Sequence, residues 1–213
     1  MVLGITTAAI YLLAKLTASF KRLRKLHAPV GYLLFALSGV HLALAVRLIH
    51  QRPVLVTALG MAMVALIAAS LVAAWLRKFR LHRALALLVI PLLLVHVTAC
   101  VTSFKAYQRA VEALVITDVD ASGVADGRYV GACDVGYIYA EAAVTVSDGK
   151  ITDIALLEHR NERGARAEAV VGEILAAQRV DVDAVSGATN SSKVIEKAIE
   201  NALEKGAEGR DSE

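Results

Sequence analysis

Four of the six histidines form two pairs of identical spacing, His27 with His41 and His82 with His96, each pair separated by 14 residues. On an α-helix, 14 residues fall about 40° short of four turns, so both members of a pair share one face. They stand roughly 21 Å apart along the axis. Imidazole is a common metal ligand. If the two helices run in the same direction, His27 levels with His82 and His41 with His96. Each level then offers two axial ligands to one haem iron. Intramembrane histidines also hydrogen-bond neighbouring helices, but two equally spaced, level pairs favour ligation. The residues four positions after each histidine, Gly31, Ala45, Ala86 and Cys100, are all small. They leave room for a porphyrin edge, and they suit plain helix contact as well. Leu34 and Val89 belong between the two levels. His50 is expected at an interface and His159 on a soluble surface.

A second group with chemistry is the run Asp183-Ala184-Val185-Ser186-Gly187-Ala188-Thr189, followed by Asn190-Ser191-Ser192. Small residues let a backbone approach a ligand closely. The amphipathic helix expected over Lys193–Leu203 directs its N-terminal N–H groups and dipole at this run, where a phosphate is welcome. Taken residue by residue, an ordinary capped turn explains the same pattern. The whole string resembles the D-x-x-S-G-A-T signature of FMN-binding domains, found in the FMN subunits of sodium-translocating NADH:quinone reductase and Rnf complexes. The resemblance runs from about Asp126 to Leu203. It takes in Asp126-Gly127-Arg128-Tyr129-Val130-Gly131 and the hairpin pattern around Asp148-Gly149. Gly136-Tyr137-Ile138-Tyr139-Ala140 departs from the glycine-rich stretch of that family. The resemblance implies that a flavin transferase joins FMN covalently to Thr189 through a phosphodiester, with Asp183, Ser186, Gly187 and Ala188 shaping the site. The histidine arrangement in turn resembles dihaem b-type membrane cytochromes, including ferric-reductase-like and cytochrome b bundles.

The elements that must hold these groups follow from composition. The net charge of +3 hides a division: residues 1–111 carry 13 Lys and Arg and no carboxylate, whereas residues 112–213 carry 10 basic and 20 acidic residues. The first part contains apolar segments Val2–Phe20, Ala28–Val46, Pro53–Leu76 and Ala84–Phe104, each near the 20 or so residues that cross a hydrocarbon core. Lys15 interrupts the first and can snorkel. No basic residue precedes that segment and no small-residue cleavage site follows it, so it is expected to be a retained helix rather than a signal peptide. Lys21, Arg22, Arg24 and Lys25 flank the first connection, and Arg77, Lys78, Arg80 and Arg83 the third; Arg47 and Arg52 alone mark the second. The positive-inside rule puts the first and third connections in the cytoplasm, with Trp75 and Phe79 at that interface. Arginines from these loops are candidates for haem propionates. Pro91 is expected to kink the fourth helix.

The expected fold class is therefore a four-helix transmembrane bundle plus a small extracytoplasmic α/β FMN-binding domain. The domains are 1–104, a stalk and linker over 105–125, an FMN-binding domain over 126–206, and a polar tail over 207–213. Strands are expected near Tyr129–Cys133, Ile138–Ser147 and Lys150–His159, and a helix near Arg163–Gln178. Cys100 and Cys133 are too few for a disulfide framework or an iron–sulfur site. There is no dinucleotide fingerprint or P-loop, and nothing that suggests nucleic-acid binding. Together these features describe a multi-pass protein of a bacterial cell membrane with both termini and the FMN domain outside. Two b-type haems and covalent FMN would carry electrons from a cytosolic reductase or membrane quinol to an external acceptor. An extracytoplasmic flavin reductase acting on ferric iron or an organic acceptor is the alternative, as is a haem-free membrane-anchored FMN subunit.

Overall fold

The computed structural model describes residues 2–21, 24–46, 54–161 and 163–210. Arg22, Arg47, His50, Arg52, Pro53 and the last part of the tail, 211–213, lie outside the described residues. The chain divides into two compact units, Met1–Ser103 and Phe104–Glu213.

The first unit is built from α1 (Val2–Ser19), α2 (Arg24–Val46), α3 (Val54–Trp75) and most of α4 (Phe79–Glu112). In hydrocarbon every backbone N–H and C=O needs a partner within its own segment, so apolar runs of this length become helices. Helices α2, α3 and α4 are long and apolar enough to cross a membrane, which makes this a membrane protein. The described apolar part of α1, Ala9–Ser19, is shorter than a full crossing needs. By length and composition, three crossings are supported where the sequence suggested four.

Helix α2 starts at Arg24, earlier than the apolar segment alone suggests, and so holds His27 in its first turn. Helix α4 continues through Pro91 as one element. Helix α3 closes in a Schellman motif: Arg77 has φ 57°, its N–H donates to Ala74 O at 3.0 Å, and the Lys78 N–H donates to Ala73 O at 2.8 Å. Tyr11, Leu34, Met63, Ile67 and Val89, drawn from all four helices, form the core of the unit. Leu12, Leu44, Val72, Leu87 and Leu94 face outward, as side chains bathed in lipid should.

The second unit is an antiparallel meander of β1 (Gly127–Asp134), β2 (Tyr139–Ser147) and β3 (Lys150–Arg160), followed by α5 (Val170–Ala177) and α6 (Thr189–Arg210). Asp148 and Gly149 both take positive φ, 53° and 72°, as a two-residue hairpin demands. The strands are consecutive hairpins rather than βαβ units, so the arrangement is α+β in kind and not the α/β expected. The helix expected over 163–178 is a 3-10 turn, Ala165–Ala169, running into the short α5.

One sheet face, with Gly131, Cys133, Ala140, Ala142 and Val144, is buried, while Arg128, Val130, Ala132 and Asp134 point out. Helix α6 covers the buried face with Val194, Ile195, Ala198, Ile199, Ala202 and Leu203. It comes so close to β1 that a Cβ at Gly131 would overlap the backbone of Ala198 and Ala202. Asn201 and Lys205 donate to Ala132 O (2.9 Å) and Val130 O (2.6 Å), occupying carbonyls along the edge strand. Gly206 lies against Tyr129 and Val124, so α6 stays helical past the point where a frayed tail was expected.

Gly131→Ala should destabilise the second unit by about 3 kcal/mol, because neither colliding backbone can move aside as a rotamer would. Thermal unfolding of the solubilised full chain measures this. A loss below that of an exposed alanine substitution would disprove the close approach.

Candidate functional site

In the second unit, the chain leaving α5 is first anchored. Gln178, with φ 54°, ends that helix, and its side-chain amide exchanges two hydrogen bonds with the Ile151 backbone, at 2.9 and 2.8 Å. The Val180 N–H donates to Asp118 Oδ1 at 2.8 Å. The segment then turns at Val185–Ala188, closed by the Ala188 N–H on Val185 O at 2.9 Å. Gly187 occupies the third position with φ 76°, a conformation that glycine adopts without strain.

Ser192, fully buried, ties this turn to the helix. Its hydroxyl accepts from the Val185 N–H at 3.1 Å and donates to Ala188 O at 3.3 Å. Ser191 is buried as well, and Gly164 packs against its hydroxyl where no side chain would fit. The helix therefore opens at Thr189 itself, four residues before the expected Lys193. The serines that looked like a preceding loop belong to the first turn, where the Ser192 hydroxyl holds the turn below and Ser191 is buried against Gly164. Thr189 is exposed, as are Asp183, Ser186 and Gly187, whereas Ala188 is buried. The hydroxyl of Thr189 thus stands in the open beside helix N–H groups that have no intrahelical partner.

Next to Thr189, Asn190 Nδ2 donates to Tyr107 Oη at 2.9 Å. Tyr107 belongs to a cluster with Phe104 and Tyr137. Tyr107 was not singled out from the sequence, whereas Asn190 and Ser192 stood in the polar run after the motif and Tyr137 in the stretch that departs from the family.

About two turns into α6, Glu196 is 3 % exposed and its Oε1 has no hydrogen-bond partner. Burial, reinforced by the nearby Asp181 and Glu173 and opposed by Lys193, raises its pKa from 4.5 to about 7.

Residues 136–204 match the FMN-binding domain family. The match spans about a third of the chain. It gives the second unit a flavin-based redox function. No curated protein matches the chain significantly.

In the first unit, the structure brings His27 and His82 together, with ring centroids 6.0 Å apart and planes turned by 70°. His27 Nδ1 lies 3.0 Å from Ala14 O, and His82 Nδ1 lies 2.9 Å from Ser70 O. A carbonyl can only accept, so both Nδ1 atoms carry the proton, and a neutral ring then has its lone pair on Nε2. Leu34 and Val89, seven residues after these histidines, meet in the core of the unit. His41 is half-buried on α2. His96 is buried on α4, with Cε1 close above Gly60 of α3 and Nε2 3.7 Å from Cys100 Sγ. Among the described residues no group of three or more His, Cys, Asp or Glu gathers to hold a metal ion by protein ligands alone.

A carboxyl group with a raised folded pKa stabilises when protonated. The contribution of Glu196 is full below about pH 4.5 and is lost as pH rises through about 7. Melts of the solubilised protein should therefore fall between pH 5 and 8 more steeply in the wild type than in Glu196→Gln, with the variant the more stable at pH 8. Parallel curves would contradict this assignment.

Proposed function

We propose that the protein is a transmembrane electron-transfer flavocytochrome, with two b-type haems held between α2 and α4 and FMN linked to Thr189. Bound there, haem iron and flavin would supply electron carriage from a cytosolic reductase or membrane quinol to an acceptor outside the cell. The residues of the chain hold, orient and insulate them.

The observation that carries the haem half is the His27–His82 pair. These two rings stand 6.0 Å apart, centroid to centroid, and would hold one haem iron between them. The carbonyls on both Nδ1 atoms are the outer hydrogen bonds that orient ligating histidines. A porphyrin brings four nitrogens of its own, so two histidines suffice. His41 and His96 would hold the second haem, one further step of seven residues beyond Leu34 and Val89. Arg24, Arg80 and Arg83 lie at the helix ends that carry His27 and His82 and would pair with propionates. Arg22, Arg47 and Arg52 are candidates for the same role.

The FMN half rests on the family match and on an exposed Thr189 at the start of α6. A flavin transferase needs that hydroxyl accessible, and the first N–H groups of the helix would donate to the phosphate. Asp183, Ser186, Gly187 and Ala188 would form the remainder of the phosphate turn. The basic first and third connections argue for their place in the cytoplasm, which puts both termini and the FMN-binding unit outside. Its excess of acidic residues would steer a cationic acceptor such as a ferric complex.

Protein coproduced with a flavin transferase should gain the mass of one FMN less one water, and Thr189→Ala should lack this adduct. An adduct persisting in the variant would move the attachment elsewhere. A pyridine haemochrome assay should count two haems per chain, and His41→Ala and His96→Ala should each remove one while leaving the His27–His82 haem. FMN without any haem would identify a membrane-anchored FMN subunit of a larger redox complex instead.

A further inference from the structure

We propose that Phe104, Tyr107 and Tyr137 form the surface on which the isoalloxazine ring of the Thr189-linked flavin stacks. The proposal rests on the reading of Thr189 as the attachment site and adds where the ring lies.

Three rings from two separate elements converge here. Phe104 and Tyr107 come from the C-terminal part of α4, and Tyr137 from the turn between β1 and β2. Their centroids are 5.3 to 6.3 Å apart, and their planes are inclined by 43°, 60° and 80°. No two ring faces are stacked on one another. Phe104 is 46 % exposed, and both tyrosines are half-buried. A flat heteroaromatic ring is the ligand such faces suit.

The turn that carries Tyr137 is stiff. Gly136 has φ 89°, its N–H donates to Asp134 Oδ1 at 2.8 Å, and the Val135 N–H donates to Ile138 O at 3.0 Å. Tyr137 therefore stands on a fixed backbone, with its ring against those of Phe104 and Tyr107.

The cluster is also tied to the attachment residue. Asn190 Nδ2 donates to Tyr107 Oη at 2.9 Å, and Asn190 directly follows Thr189, about 3.8 Å away along the backbone. The aromatic surface thus begins one side chain away from the phosphate anchor. Tyr137 stands in the stretch Gly136–Ala140, where the glycine-rich run of the family is missing.

Tyrosine stacked on a flavin quenches its fluorescence. The test is the emission per covalent FMN in flavinylated full-length protein, with occupancy from intact mass and the denatured protein as the unquenched reference. Wild type should be strongly quenched. Tyr137→Ser and Tyr107→Leu should each raise emission several-fold with full FMN occupancy, while Tyr107→Phe, which keeps the ring, should stay close to wild type. Visible circular dichroism of the flavin should weaken in the same two variants. If Tyr107→Leu fails to fold, Tyr137→Ser in its exposed turn gives the same answer. Unchanged emission and dichroism at full occupancy would overturn the stacking and leave the aromatics as membrane-interface anchors. Absence of any adduct in wild type would refute the attachment, and the stacking with it.

Discussion

Helix α6 lies with its backbone directly on β1 because Gly131 has no side chain there, and that contact decides where the two ends of the helix stand. At its C-terminal end Gly206 repeats the close approach against Tyr129 and Val124. At its N-terminal end Ser192 joins the helix to the Val185–Ala188 turn. Thr189 is thereby offered to solvent on a rigid element, and Asn190 beside it reaches Tyr107. A bulkier residue at position 131 would displace the helix, and every one of these relations would move with it.

The membrane unit depends on a constraint of a different kind. Without carboxylates before Glu112, its buried polar groups have to satisfy one another or use the backbone. His27 and His82 take the second course and bond to the carbonyls of Ala14 and Ser70. That bond fixes which ring nitrogen is free as well as where the ring points. Thr17 and Tyr11 do likewise, on Ala14 O and Ala86 O. Such bonds cost little in specificity for a helix bundle, and they hold both rings in place.

How much of this could be read in advance varied with the range of the interaction. The spacing that brings His27 beside His82 and the motif around Thr189 are local patterns and were legible in the sequence. The hairpin at Asp148-Gly149 was legible from its turn chemistry. The contact between Tyr107 and Asn190 joins residues 83 positions apart, and no local pattern announces it. The start of α6 was misplaced because Asn190, Ser191 and Ser192 are poor helix formers. Here Ser192 bonds to the turn below, Ser191 is buried against Gly164 and Asn190 reaches Tyr107, and that tertiary use outweighs propensity. The meander was hidden because buried strands in β2 such as Ala140–Val144 read alike in parallel and antiparallel sheets. The extent of α6 past Leu203 depends on Lys205 reaching Val130 O and on Gly206 seating against Tyr129, neither visible from composition.

The central claim is that one chain joins the two sides of a membrane electrically, and it is tested most directly by transfer across a sealed bilayer. Proteoliposomes of the haem-loaded, flavinylated protein would enclose a reductant and face an impermeant acceptor. Reduction of the acceptor should run well above the rate in matched vesicles holding the Thr189→Ala, His41→Ala double variant. Equal rates in the two preparations would contradict the account.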